Sequence, residues 1–137
     1  MKQMTEIGDE YGGKAIQEFP NQVTLSIKGH ALRIEQSQQG SDFLFGISMG
    51  CTVAIPLHRI STMQTGAPPP TREIDLIHFL RLQRDPVQLE LESGGSYRNC
   101  WLLNVVENWL PISSRTGVEW VPITAILMAK IGPVDKS

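Results

Sequence analysis

Asp42-Phe43-Leu44 returns 66 positions later as Asn108-Trp109-Leu110, and Ile55-Pro56-Leu57 returns at the same offset as Val121-Pro122-Ile123. Sliding the chain by 66 also places Pro20 on Pro86, Gln22 on Gln88 and Gly29 on Gly95. Further along, Leu44 meets Leu110, Ser48 meets Ser114, Pro56 meets Pro122, Ile60 meets Ile126 and Gly66 meets Gly132. Val23 and Leu25 fall on Leu89 and Leu91 without a gap. Identities are few. The weight lies in the shared phase of apolar residues, glycines and prolines, which is how an internal repeat of short elements looks.

Outward from that match, each copy reads as five short strands. In the first, Val23, Leu25 and Ile27 alternate with polar residues, the period of a half-buried strand. Gly29 marks a turn, Leu32 and Ile34 resume the alternation, and Gln36 to Gly40 reads as a polar connection. Phe43, Phe45 and Ile47 form a third strand, Gly50 a turn, and Thr52 to Leu57 a fourth. Pro56 lacks a backbone donor and belongs at that strand's end. Ile60 and Met63 belong to a short fifth strand. The second copy runs through Leu89 and Leu91, the Gly94-Gly95 turn and a long apolar region from Tyr97 to Val106. Trp109 to Ile112, a turn at Arg115-Thr116-Gly117, Glu119 to Ile123 and Ile126 to Ile131 complete it.

Between the copies, Gly66-Ala67-Pro68-Pro69-Pro70 is a stiff linker. A helix is predicted after it, with Thr71 as N-cap and Glu73 and Asp75 in its first turn. Leu76, Phe79 and Leu80 share its apolar face, and Pro86 ends it. The expected fold class is mainly β: two tandem five-stranded small barrels joined by the proline-rich linker and one α-helix. The expected boundaries are a flexible segment 1–19, a first barrel 20–66, linker and helix 67–85, a second barrel 86–133 and a tail 134–137. The aromatic residues Phe43, Phe45, Trp101, Trp109 and Trp120 are mostly core candidates.

The strand and turn order, Asp42 near the third strand and the helix ahead of the second unit resemble the Sm-like and SH3-like small barrels. The layout is also similar to uncharacterised actinobacterial two-barrel proteins. The matching stretches are Gly29 with Gln39-Gly40-Ser41-Asp42-Phe43-Leu44 and Gly95 with Val105-Val106-Glu107-Asn108-Trp109-Leu110. The helix match is Ile77-His78-Phe79-Leu80-Arg81-Leu82-Gln83-Arg84-Asp85-Pro86-Val87. The resemblance covers about residues 20 to 133. It implies RNA binding near an aspartate of the third strand, but of that signature only Asp42 is present, and the late Arg-Gly pair is absent.

Composition narrows the function classes. The chain has 137 residues, 41% of them apolar, which is enough for a packed core. Twelve basic and fourteen acidic residues leave a net charge of −2, which disfavours a general grip on nucleic acid or anionic membrane. The apolar stretch Ile123 to Ala129 falls short of a membrane span, and no signal peptide is read at Met1. Cys51 and Cys100 form no CxxC and read as two buried thiols of a cytoplasmic protein, with a disulfide between them as the alternative.

Chemistry-bearing motifs do not emerge. His30, His58 and His78 lack metal-ligand spacing, so no metal or other cofactor is expected. No nucleophile motif or phosphate-cradling loop appears, so the protein reads as non-enzymatic, with no catalytic residues. The candidate interaction surface is Phe43, Trp109, Arg81, Arg84 and Arg98. Phe43 and Trp109 occupy equivalent repeat positions, and the arginines flank the helix and second unit. The expected function is protein interaction or self-assembly, with oligomers through strand edges or an aromatic surface. The alternative is an RNA- or single-stranded nucleic-acid-binding regulator in which aromatic residues stack on bases. A small-ligand pocket between the units is a third class.

Overall fold

The computed structural model describes residues 21–132. The expected flexible segment 1–19 and the tail 134–137 lie outside the described residues. Ten antiparallel strands make one continuous hydrogen-bonded sheet that does not close on itself. The strands are β1 (Val23–Ile27), β2 (His30–Gln39), β3 (Phe43–Ser48), β4 (Cys51–Pro56) and β5 (Thr62–Gln64). After helix α1 (Leu76–Arg81) come β6 (Val87–Leu91), β7 (Ser96–Leu102), β8 (Trp109–Ser114), β9 (Gly117–Pro122) and β10 (Ile126–Ile131). Where two separate barrels were expected, the strands run in one row: β5-β1-β2-β3-β4-β10-β6-β7-β8-β9. The reason is the β4–β10 pairing, at Ala129↔Ala54, Lys130↔Val53 and Ile131↔Thr52, which joins the halves edge to edge. Among the described residues no helix is long and apolar enough to cross a membrane.

The repeat is visible in the pairing itself. The first half runs β5-β1-β2-β3-β4 and the second β10-β6-β7-β8-β9, the same order. Phe43 faces Pro56 as Trp109 faces Pro122. A 3-10 turn follows each of those prolines, Leu57–Arg59 in one half and Ile123–Ala125 in the other. The Leu57 amide donates to Asp42 O, and the Ile123 amide donates to Asn108 O, both at 3.0 Å. The offset changes in the first strand of each half. Val23 faces Ile34, and Val87, not Leu89, faces Cys100. The turn after β1 is Lys28-Gly29, whereas the turn after β6 spans 92–95. The hairpin adds one residue, since Leu89 pairs with Tyr97 where Leu25 pairs with Leu32, and a bulge in β7 between Tyr97 and Cys100 adds a second, so the repeat shifts from 64 to 66 positions. The gapless match of Val23 with Leu89 is therefore replaced by Val23 with Val87.

Two other expectations change. The helix is shorter, and its N-cap is Asp75, whose carboxylate accepts the His78 amide at 2.7 Å. Thr71 instead makes a parallel bridge to Gln39, because the Gln39 amide donates to Pro70 O and the Arg72 amide to Gln39 O. The linker is thus held extended along the end of β2 and turns helical only where Asp75 caps it. The Gln36–Gly40 connection is also replaced: β2 continues through Gln39, with an irregular register beside Gln36 at φ 54°.

The core has two parts. Val23, Leu25, Ile27, Ile34, Leu44, Val53 and Ile55 fill the first half. A larger cluster joins Phe43, Phe45 and Ala54 of the first half to Leu76 and Leu80 of α1 and to Leu89, Cys100, Leu110 and Ile126 of the second. Phe79 sits on Phe43 and Phe45 at ring-centroid distances of 5.1 and 4.6 Å. Arg59 crosses the junction, donating from Nε to Ile126 O at 3.2 Å and from its second amino group to Thr124 O.

Candidate functional site

The last three strands of the sheet carry an exposed apolar face. Strand alternation sends Leu110 and Ile112 of β8 inward, with Val121 of β9 opposite Leu110. Of the intervening residues of β8, Trp109 is half exposed and Ser113 partly so, while Pro111 between them is buried. Trp109 pairs with Pro122, Pro111 with Trp120, and Ser113 with both Val118 and Trp101. Trp101 and Trp109 are each 48% exposed, Val118 53% and Trp120 54%. Trp109 and Trp120 are diagonal neighbours, a spacing of about 7–8 Å that lets large rings share a surface. Val106, also exposed, is bridged to Trp109 by two backbone hydrogen bonds of 3.0 and 2.9 Å. Three half-exposed indoles on one face make the kind of apolar patch that marks an interaction site.

The first half shows what covers this face when it is covered. By the 66-position relation Phe43, Phe45 and Ala54 stand where Trp109, Pro111 and Trp120 stand. Phe43 and Ala54 are fully buried and Phe45 nearly so, under Phe79 of α1 and the shared cluster. In the second half the same face is covered at Pro111, which is buried, and half open at Trp109 and Trp120.

The candidate residues are therefore divided. Trp109 lies in the exposed face. Phe43 is buried and presents nothing to a partner. The reading of Trp101 and Trp120 as core is also replaced, since outward alternation holds both at the surface. Arg81, Arg84 and Arg98 are exposed but are not shown meeting in one patch. Arg81 donates to Asn104, beyond the end of β7, while Arg98 lies near that strand's start, about 13 Å before its last residue. The sequence contained one clue to the indole face: Trp101, Trp109 and Trp120 sit out of phase with Leu110, Ile112 and Val121.

Two further places hold side chains capable of chemistry. An open cleft of about 530 Å³ beside α1 gathers Asp42, Asp75, His78, Arg81 and Asn104. Its carboxylates are engaged in holding the helix: Asp42 accepts the Leu76 amide at 2.8 Å and Asp75 the His78 amide at 2.7 Å. Cys51 and Cys100 are free thiols. Burial pushes the Cys100 thiol up to about 11, and its Sγ donates to Val87 O at 2.9 Å. A thiol so disfavoured as thiolate is a poor nucleophile. Tyr97 is likewise held above its ordinary value, first by its hydrogen bond to Glu119 and then by desolvation. Among the described residues no three His, Cys, Asp or Glu side chains converge on a metal position. Compared with protein-family models, curated proteins and solved structures, the chain matches none of them.

Proposed function

We propose that this chain is a non-enzymatic, cytoplasmic protein-interaction module built from two tandem Sm/SH3-like small barrels, and that it meets its partner through the tryptophan face of β7–β9. The observation that carries the reading is the set Trp101, Trp109 and Trp120, each about half exposed on one sheet face. Indoles combine a large apolar area with little side-chain entropy, so such a cluster favours protein contact. The recurrence of one strand order in both halves supports the two-barrel part of the reading.

The test is selection from a random peptide display library. The wild type should enrich apolar peptides whose binding shifts tryptophan emission to the blue. A Trp101→Ser/Trp109→Ser/Trp120→Ser variant with an unchanged far-UV spectrum should lose them. No enrichment, or enrichment that survives in the variant, overturns the reading. A second reading rests on the same indoles, because bases also stack on exposed aromatic rings. Salt-sensitive quenching by oligothymidylate that the triple variant abolishes would move the conclusion to single-stranded nucleic acid.

A further inference from the structure

We propose that the tryptophan face receives an amphipathic helix of another protein, which lays an aromatic side chain against Trp109 and Trp120 as α1 lays Phe79 against Phe43 and Phe45. This rests on the reading of that face as an interaction site and names the chemistry of its partner. The pattern for the contact lies within the molecule. Phe79 reaches Phe43 and Phe45 at ring-centroid distances of 5.1 and 4.6 Å, tilted by 47° and 36°. Leu76 and Leu80 of the same helix are 3% and 2% exposed, in the same cluster as those rings. Leu, Phe and Leu at i, i+3 and i+4 thus form the helix stripe that covers this face in the first half.

The second half rebuilds that surface with large and small residues exchanged. Phe45 pairs with Ala54, and its counterpart Pro111 pairs with Trp120. Each cross-strand pair holds one ring and one small side chain, so the ring has moved from the third strand of the unit to the fourth. Trp109 stands where Phe43 stands. Both halves therefore carry two large aromatic side chains at this place, one at the start of the third strand and one in the next cross-strand pair. Phe43 and Phe45 are buried, whereas Trp109 and Trp120 are 48% and 54% exposed. The third ring, which Phe79 gives to the first pair, is what the partner supplies to the second.

A second copy does not lend its own α1 for this purpose. Leu76 and Leu80 are buried at home, and the Asp42 and Asp75 carboxylates hold the helix start through the Leu76 and His78 amides. The partner is therefore a different chain. It also does not imitate the linker ahead of α1. A Cβ on Gly40 would stand 2.5 Å from the Ile74 carbonyl oxygen, and the Ser41 amide donates to that oxygen at 2.8 Å. The counterpart of Gly40 is Val106, whose side chain occupies that approach. The counterpart of Ser41 is Glu107, at φ 57° in a turn closed by the two bonds between Val106 and Trp109. Recognition is confined to a helix face, read as apolar anchors at i, i+3 and i+4 with the aromatic residue among them.

The experiment titrates the full chain into a fluorescein-labelled peptide that copies residues 74–85 and is stapled into a helix on its polar side. The peptide contains no tryptophan, so tryptophan emission reports the protein alone. Anisotropy should show saturable binding, and the emission should shift to the blue. A peptide with Phe79→Ala should bind at least tenfold more weakly, the scale of losing one aromatic contact and its buried area. A Trp109→Ser/Trp120→Ser protein with an unchanged far-UV spectrum should lose at least tenfold toward the original peptide. Absence of saturable binding overturns the proposal. So does equal affinity for the alanine peptide, or binding that the double variant retains, which would place the peptide elsewhere on the chain. The random display library separates this inference from the reading beneath it. Peptides enriched through the tryptophans should carry an aromatic residue within an i, i+3, i+4 apolar stripe and gain helical dichroism on binding. Enriched peptides that bind through the same tryptophans in an extended form would refute the helix while leaving the interaction face standing.

Discussion

Phe79 joins the helix to the first half of the sheet, so replacing it measures whether the halves fold as one body. Its ring lies 5.1 Å from Phe43 and 4.6 Å from Phe45, within the range of productive aromatic contact. Truncating a fully buried phenylalanine to alanine costs about 3–5 kcal/mol. Phe79 is only partly buried, so Phe79→Ala should cost about 2–3 kcal/mol. Phe79→Leu keeps most of the apolar volume and forfeits the two ring contacts, a loss of about 1–2 kcal/mol. With a urea slope of about 2 kcal/mol per molar, the alanine variant's midpoint falls by about 1–1.5 M. The assay follows urea unfolding by far-UV circular dichroism and by tryptophan emission. All three tryptophans lie in β7–β9, so emission reports the second half, while circular dichroism reports both. Phe43 and Phe45 share a buried cluster with Leu89 and Cys100, so both signals should move together in one transition. A split dichroism transition, with the emission midpoint unmoved, would refute the claim that the junction transmits stability between the halves.

Gly46→Ala should destabilise by about 1–3 kcal/mol, because its Cβ would stand 2.4 Å from Ile34 Cγ2 and 2.8 Å from Glu35 O; thermal unfolding measures it. Asp42→Ala removes the carboxylate that accepts the Leu76 amide at 2.8 Å and should cost about 1–2 kcal/mol, with Asp42→Asn recovering most of it. Alkaline pH should weaken the fold. The Cys100 thiol is raised from 9.0 to about 11 by burial, so its contribution is complete below pH 9 and disappears as pH rises through 11. A tenfold step in acidity is worth about 1.4 kcal/mol, so the loss is on the order of 2–3 kcal/mol. Tyr97, also raised, acts in the same direction above pH 10, and Cys100→Ala should remove only the thiol's share of the pH dependence. Ala54→Trp should cost several times more than Trp120→Ala, although the two positions are equivalent, because Ala54 is fully buried against Ala129 while Trp120 is exposed.

Much of the strand pattern was legible because the alternation is local. Val23-Thr24-Leu25-Ser26-Ile27 has a period of two, and it folds as β1 with every second residue buried. Phe43 and Trp109 fell on equivalent positions because the repeat is free of gaps from the second strand onward. What failed was non-local. The two extra residues of the second half, one in the hairpin after β6 and one in the β7 bulge, add up to an even number that leaves the apolar phase of the first strand intact, so a gapless slide passes over them. The edge pairing of β4 with β10 joins residues some 75 positions apart and leaves no local trace. The helix start was misplaced because Thr71 is a good cap in isolation, whereas backbone bonds from the linker to Gln39 hold it extended. Residue type, and for Trp109 its repeat position, make the tryptophans read mostly as core, although their phase against Leu110, Ile112 and Val121 points outward.

That misreading of the tryptophans bears on function. Equivalent positions in a repeat experience the same local strand geometry, so a difference between them reflects what lies outside the unit. Ala54 leaves room at a junction that is filled within the molecule by Ala129. Its counterpart Trp120 adds a large apolar ring that is 54% exposed among the described residues. A protein that gained nothing from that face would incur only its solubility cost, since exposed aromatic clusters favour association. Phe43 and Phe45 are matched by Phe79, a third ring supplied by the same chain. Trp109 and Trp120 have no such ring from the described residues. The divergence between the halves is therefore concentrated where the first half is buried and the second, among the described residues, stays half exposed. On the proposed reading a partner would meet the tryptophan face rather than the cleft beside α1, whose carboxylates accept backbone amides.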